Sequence, residues 1–299
     1  MVVGLVGCGR WGRHILRDLR ALGCEVPVVA RSDESRARAV EGGATDVVDN
    51  VQVLAGCDGI VVATPTATHA SVVGEALDLD VPVFCEKPLC PDADDARRLA
   101  DRAPGRLFVM DKWRYHPGVQ ELAAIARERR LGPVSGVATM RVGWDVPHDD
   151  VDAVWILAPH DFSIVFEIMG ALPRTDAAAA QLLDGRIVHL SAVLRGDGWW
   201  HSLEVSGRSP ESTRRIALHC EDGVAVLADG WDQHITVLRD RPDGVEEERI
   251  ETPGELPLLG ELRAFVEHLR GGPAPRSSAA EGAAIVAAIV EVRRRAASA

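Results

Sequence analysis

The hexapeptide Gly7-Cys8-Gly9-Arg10-Trp11-Gly12 follows the apolar run Val2-Val3-Gly4-Leu5-Val6 and precedes a stretch where Ile15, Leu16, Leu19 and Leu22 recur at helical spacing. Glycines spaced in this way between a strand and a helix suit the binding of a pyrophosphate. Gly7 permits the tight turn, Gly9 lets the backbone approach the anion, and Gly12 allows the helix to pack closely, while the helix N-terminus offers N–H groups to the charge. Gly7, Gly9, Arg10, Trp11 and Gly12 are therefore candidate dinucleotide-binding residues. The next strand, residues 26–30, ends without the carboxylate that would accept hydrogen bonds from the adenosine ribose of NAD; Arg31 and Ser32 follow it, with Arg36 one turn further on. Guanidinium and hydroxyl groups suit a 2′-phosphate, so NADP is expected, with NAD as the alternative. Asp33 keeps that alternative open, as a replacement carboxylate or simply as the N-cap of the helix that starts there.

The basic residues carry a second chemical signal. Lys and Arg together number 33, yet only Lys87 and Lys112 are lysine. A chain that uses arginine almost wherever a cation would serve invites a chemical reason for each lysine, because an ammonium can exchange its proton whereas a guanidinium cannot. Lys87 lies in Phe84-Cys85-Glu86-Lys87-Pro88-Leu89 directly after an apolar run, and the Lys87–Pro88 bond is a candidate cis peptide.

These residues need a scaffold, and its period is legible. Up to about residue 111, short apolar runs (2–6, 26–30, 47–48, 59–63, 81–85 and 107–110) alternate with helical stretches (14–22, 33–41, 68–79 and 92–103), the signature of βαβ units in a doubly wound parallel sheet. A helix is expected over 116–130. Strand-like stretches then dominate, at 134–142, 177–183, 187–194, 199–206, 215–220, 223–227 and 234–238, separated by turn signals such as Asp184-Gly185 and Glu221-Asp222-Gly223. One helix, 151–169, interrupts them, and two more, 258–269 and 279–295, close the chain. The expected architecture is α/β, an N-terminal Rossmann domain over 1–114 followed by an α+β domain over 115–299 with a largely antiparallel open sheet.

The totals narrow the function classes. A net charge of −12 disfavours nucleic acid, which needs a basic face, and no apolar run approaches the roughly 20 residues of a membrane span. Met1 leads into the first strand without a basic region or a small-residue cleavage site, so a cytoplasmic location is expected. The six cysteines are scattered singly, as reduced residues would be, and no metal site is expected.

Three segments, the glycine turn, Ala63-Thr64-Pro65-Thr66-Ala67-Thr68-His69-Ala70 and Glu86-Lys87-Pro88, together resemble the Gfo/Idh/MocA oxidoreductases, the group that contains glucose-fructose oxidoreductase and inositol dehydrogenase. The resemblance extends to Arg114-Tyr115-His116-Pro117, to Ala158-Pro159-His160-Asp161 and to the closing helices. It implies that Lys87 lies beside the nicotinamide and the reacting carbon, where an ammonium stabilises a developing alkoxide or relays a proton, and that Thr64, Pro65, His69 and Glu86 line the cofactor cleft. It implies His160 as the second catalytic group, and Arg114 and Tyr115 as substrate contacts. The family pairs that histidine with an aspartate four residues earlier, on the same helical face; here Ile156 stands there. Asp152 and Asp161 are the nearest carboxylates that could replace it, and Asp161 is taken as a substrate-binding candidate. Trp144, Trp155, Trp199 and Trp200 could form a sugar-stacking wall or pack sheet against helix. The expected activity is NADP-preferring hydride transfer to or from a secondary alcohol or ketone of a sugar-like, free or nucleotide-linked small molecule, in a homo-oligomer. Reduction of a C=N bond and a non-catalytic dinucleotide-binding regulator are the alternatives.

Overall fold

In the computed structural model, which describes residues 1–144 and 150–297, the chain divides into two compact units, Met1–Lys112 with Leu256–Val286 and Trp113–Glu255 with Ala287–Ala299. The first unit is built on β1 (Val3–Val6), β2 (Pro27–Val29), β3 (Asp46–Val48), β4 (Gly59–Val62), β5 (Val83–Glu86) and β6 (Leu107–Met110). They form one sheet in the order β3-β2-β1-β4-β5-β6, and every pair is parallel. All residues of β1, β4, β5 and β6 are buried, as a parallel sheet covered on both faces requires. The connecting helices are α1 (Gly12–Ala21), α2 (Asp33–Glu41), α3 (His69–Leu77) and α4 (Ala93–Arg102). Ser32 and Asp92 cap α2 and α4 by accepting from the N–H groups of Ser35 and Asp95. The strand order reverses on either side of β1, and in open sheets of this kind the ligand crevice lies at the carboxyl ends of the strands beside that reversal.

The unit bounds differ from those expected, 1–114 and 115–299, because the chain returns to the first unit with α7 (Pro257–Leu269). Leu258, Leu262, Phe265 and Val266 recur on one helical stripe and belong to the same buried cluster as Leu5, Val28 and Phe84. The Phe265 ring stacks on Phe84 with centroids 5.0 Å apart. Apolar burial, not order in the chain, places this helix.

The second unit begins with α5 (Pro117–Glu128), β7 (Val134–Trp144) and α6 (Ala153–Met169), and continues with β8 (Arg174–Leu183), β9 (Arg186–Arg195), β10 (Trp200–Ser206), β11 (Arg208–Cys220), β12 (Gly223–Leu227), β13 (His234–Arg241) and β14 (Gly244–Glu251). The sheet order is β14-β13-β12-β11-β7-β10-β9-β8, antiparallel throughout except for the parallel pair β7 and β10. The expected turn at Asp184-Gly185 joins β8 to β9 with φ of 51° and 76°, the left-handed pair that a two-residue hairpin demands. The strand β14 was not expected: Val245-Glu246-Glu247-Glu248-Arg249 is exposed and charged, without the alternation that marks a half-buried strand, as befits the edge of a sheet. Helix α8 (Ala279–Ala297) ends the described chain. Among the described residues no helix is long and apolar enough to cross a membrane.

Helices α5 and α6 contribute Val119, Leu122, Ile164 and Val165 to a core that also holds Val137, Ile216, Leu218 and Val237 of the sheet. His201 of β10 is fully buried in this unit, its ring edge-on to Phe162 and its Nε2 2.9 Å from the Thr139 hydroxyl. Burial pushes its imidazole down to about 3. Above the ordinary histidine pKa this costs nothing; as pH falls below it, the unfolded chain binds a proton that the fold refuses, and stability drops by up to about 1.4 kcal/mol per pH unit. Urea denaturation from neutral to mildly acidic pH is expected to show that slope in the wild type and a shallower one in His201→Gln. Equal slopes would exclude His201 as its source.

Candidate active site

The glycine turn has the geometry that its spacing predicts. Gly7 sits at φ +97°, and a Cβ there would lie 2.6 Å from the Ala63 carbonyl oxygen. A Cβ on Gly12 would lie 2.2 Å from the Gly7 carbonyl oxygen, so α1 can start here only with glycine. Gly9 faces open space, with nothing within 4 Å of its ideal Cβ. Helix α1 has no side-chain cap and no acidic residue in its first turn. An open backbone at Gly9 and an uncapped helix N-terminus fit the pyrophosphate of a dinucleotide.

The carboxyl ends of β5 and β6 lie at this same edge. Trp11 Nε1 donates to Glu86 Oε1, and Glu86 Oε2 accepts from the Lys87 backbone N–H at 3.1 Å. One carboxylate therefore ties the glycine turn to the segment that carries Lys87. The Lys112 ammonium lies 4.2 Å from the centroid of the Trp11 ring, so both lysines of the chain meet at this edge. The Lys87–Pro88 bond is cis. His69 is buried instead of facing solvent: Nδ1 is 2.8 Å from the Pro88 carbonyl oxygen and Nε2 2.9 Å from that of Thr64. It spans the turns after β4 and β5, and its burial lowers its pKa against the pull of the two carbonyls. Thr64 is half-buried and Pro65 exposed on the β4 turn, where the Thr68 hydroxyl donates to the Pro65 carbonyl at 2.8 Å.

At the tip of β2, Arg31, Ser32 and Asp33 are exposed. Ser32 is the N-cap of α2, and Asp33, weighed above for that role, is the first residue of the helix. Arg36 forms an ion pair with Asp49.

In the second unit, His160 lies on the half-exposed stripe of α6 with Ile156 and Glu167. Its ring centroid is 6.4 Å from that of Trp113, which stacks on His116 at 5.2 Å. The Arg141 guanidinium covers Trp113 at 4.3 Å and reaches both oxygens of Asp161 at 3.2 Å. Asp161 is buried, and burial raises its carboxyl pKa against Arg141. Its two oxygens are thus occupied by Arg141, a pairing that its place in the sequence did not reveal. Arg114 is also buried, its Nε donating to Glu167 at 2.7 Å, while Tyr115 is half-buried. Asp152, the other carboxylate considered, caps α6 and pairs with Arg293 at 2.6 Å. The tryptophans do not make one wall. Trp199 is in the core, Trp155 is buried under Arg293, Trp144 is exposed, and Trp200 lies against Gly136.

The sequence reading did not single out Trp113 and Arg141, which lie beside His160 and Asp161, or Glu261, which is fully buried on α7. Glu261 alone left a clear trace, a glutamate within the apolar stripe Leu258, Leu262, Phe265 of α7. The described residues contain no group of three or more His, Cys, Asp or Glu able to hold a metal.

Residues 1–107 match the model of the Gfo/Idh/MocA family, described as an oxidoreductase family with an NAD-binding Rossmann fold. Inositol 2-dehydrogenase 1 of Paenarthrobacter aurescens (strain TC1) is 35% identical over 145 residues, which are 44% of this chain and 42% of that protein. The chain thus spans less than half the length of that relative. In three dimensions it resembles a levoglucosan dehydrogenase in complex with NADH and levoglucosan (TM-score 0.89, 15% identity, 100% of this chain and 97% of the other). It also resembles a 3-ketoreductase from Actinomadura kijaniata in complex with TDP-benzene and NADP (TM-score 0.86, 20% identity, 99% and 97%).

The glycines separate two effects. Gly9→Val projects into open space, so it is expected to change fold stability by less than about 1 kcal/mol and to weaken dinucleotide binding at least tenfold. Gly12→Val collides with the Gly7 backbone and is expected to lower the melting temperature itself. Thermal unfolding and fluorescence titration with the dinucleotide read the two effects; tight binding by Gly9→Val would show that the anion lies elsewhere.

Proposed function

We propose that this protein is a nicotinamide-dependent oxidoreductase that moves hydride between the dinucleotide and a secondary alcohol or ketone of a sugar-like small molecule, nucleotide-linked substrates included. The observation that carries this reading is the linkage from Trp11 through Glu86 to Lys87, which fixes an ammonium-bearing segment to the turn that fits the pyrophosphate. The bound dinucleotide supplies the hydride acceptor or donor. Lys87 stabilises the oxygen of the substrate as charge develops on it, and His160 gives or takes the hydroxyl proton. Arg114 and Tyr115 contribute substrate contacts on the second unit; Asp161 acts there through Arg141.

NADP is the preferred cofactor in this reading, supported by Arg31 and by the lack of a carboxylate on β2 itself. Ser32 already caps α2 and Arg36 already faces Asp49, so Arg31 carries most of the preference. Removing one charge-assisted contact to a 2′-phosphate costs about 1.5–3 kcal/mol. Arg31→Ala is therefore expected to weaken NADP binding about tenfold or more and to leave NAD binding within about twofold. Equal losses for both would remove the 2′-phosphate from the argument.

Ile156 favours a second reading, reduction of a C=N bond, in which no sugar hydroxyl needs the carboxylate that Ile156 replaces. NADPH oxidation assays against keto-sugars, nucleotide keto-sugars and cyclic imines decide between the two. Lys87→Ala and His160→Ala are each expected to lower turnover of the accepted substrate by at least about 100-fold, with dinucleotide binding retained. Unchanged turnover in both would remove Lys87 and His160 from the chemistry, and dinucleotide binding without turnover of any of these substrates would favour the non-catalytic regulator.

Self-association fits the open face of the second sheet. Val193 lies opposite Ala177 and Ser202, and Ser191 opposite Ala179 and Glu204. Small side chains thus leave a broad flat surface, with Met140 and Val193 exposed, to which a second copy of this chain is the proposed partner.

A further inference from the structure

Glu261 is fully buried on α7, and neither of its carboxylate oxygens has a hydrogen-bond partner among the described residues. It lies one turn before Phe265, whose ring stacks on Phe84 of β5, and thus behind the strand that delivers Glu86 and Lys87. The charged groups facing it are Glu86 and Lys87 after β5 and Asp111 and Lys112 after β6. On α1, which packs against α7, Asp18 is paired with Arg17 at 2.7 Å. His14 is kept towards its neutral form by partial burial and by Arg13, Arg17 and Lys112.

The Lys112 and Lys87 ammonium groups favour the ionised form of Glu261. Burial, Glu86 and Asp111 all favour the protonated acid, and its pKa is raised well above the carboxylate range. The cluster stands at the carboxyl edge of β1, β5 and β6, beside the glycine turn. A positive charge brought to this edge would tip Glu261 towards its ionised form.

We infer that Glu261 is a charge-compensating carboxyl, ionised while an oxidised, cationic nicotinamide is held at this edge and protonated once the ring is reduced. This rests on the reading of the protein as a nicotinamide oxidoreductase. Oxidation of a secondary alcohol carries one hydrogen with two electrons from carbon to the ring, breaks the O–H bond and sets its proton free. The ring loses its positive charge as the hydride arrives. One proton taken up by the Glu261 carboxylate restores the charge of the site, and the reverse reaction gives it back. Glu261 touches neither reacting atom in this account. It positions the equilibrium by holding or releasing a proton.

Calorimetric titration of the full chain with NADP⁺ and with NADPH, each in two buffers of different ionisation enthalpy at the same pH, measures protons exchanged on binding. The wild type is expected to release up to about one proton more with the oxidised form than with the reduced form. Glu261→Gln, a mimic of the protonated acid, is expected to bind both forms and to abolish that difference. Should Glu261→Gln fail to fold, Glu261→Met fills the same buried volume without a titratable group. Equal proton release for the two forms in the wild type, or a difference that survives the substitution, overturns the inference while leaving the oxidoreductase reading intact. Failure of the wild type to bind either form, or NAD⁺ and NADH in their place, overturns both.

Discussion

The carbonyl oxygen of Gly7 stands 2.2 Å from where a side chain on residue 12 would begin, and the geometry of the dinucleotide edge depends on that contact. It brings α1 down onto the end of β1 and sets the start of the helix. Trp11, one residue earlier, then projects so that its indole meets Glu86. Glu86 in turn holds the backbone of Lys87. The position of the lysine segment is therefore inherited, through two hydrogen bonds, from a steric constraint on a glycine. A larger residue at position 12 would disturb the candidate chemistry without touching any group that performs it.

Both units bury charge, and they do so by different physics. Arg141 and Asp161 exclude water together, with the guanidinium spread over Trp113. Isolating such a pair costs several kcal/mol per ion before their attraction repays it. The result is a buried ion pair on the helix that carries His160. Glu261 has no such partner among the described residues, and its burial favours the protonated acid. One buried carboxyl group is thus paired with an arginine, and the other has no hydrogen-bond partner among the described residues.

The parallel sheet, the glycine turn and the helix carrying His160 were legible because each rests on local periodicity: four-residue apolar strands, a fixed glycine spacing, and apolar residues at helical intervals. The charged edge strand β14 was not, since exposure on both faces removes the alternation that betrays a strand. Nor was the membership of α7. Its apolar stripe declares a buried helix but not which core receives it, and that choice is made by Phe84 and its neighbours, far away in sequence. At the site the same division holds. Lys87 could be singled out by rarity and context, whereas the capture of Asp161 by Arg141, and the use of His69 as a brace between two carbonyls, arise only when strands distant in the chain are brought side by side.

The return of α7 also has a bearing on how this protein is made. Leu258, Leu262, Phe265 and Val266 complete a hydrophobic core whose other members lie within the first 110 residues. A ribosome releases the β1–β6 segment long before it reaches α7, and domains ordinarily fold as units in the order of synthesis. Here the first unit must wait with an apolar face uncovered while the whole second sheet is translated. The core of the first 110 residues is thus completed only in the last quarter of translation.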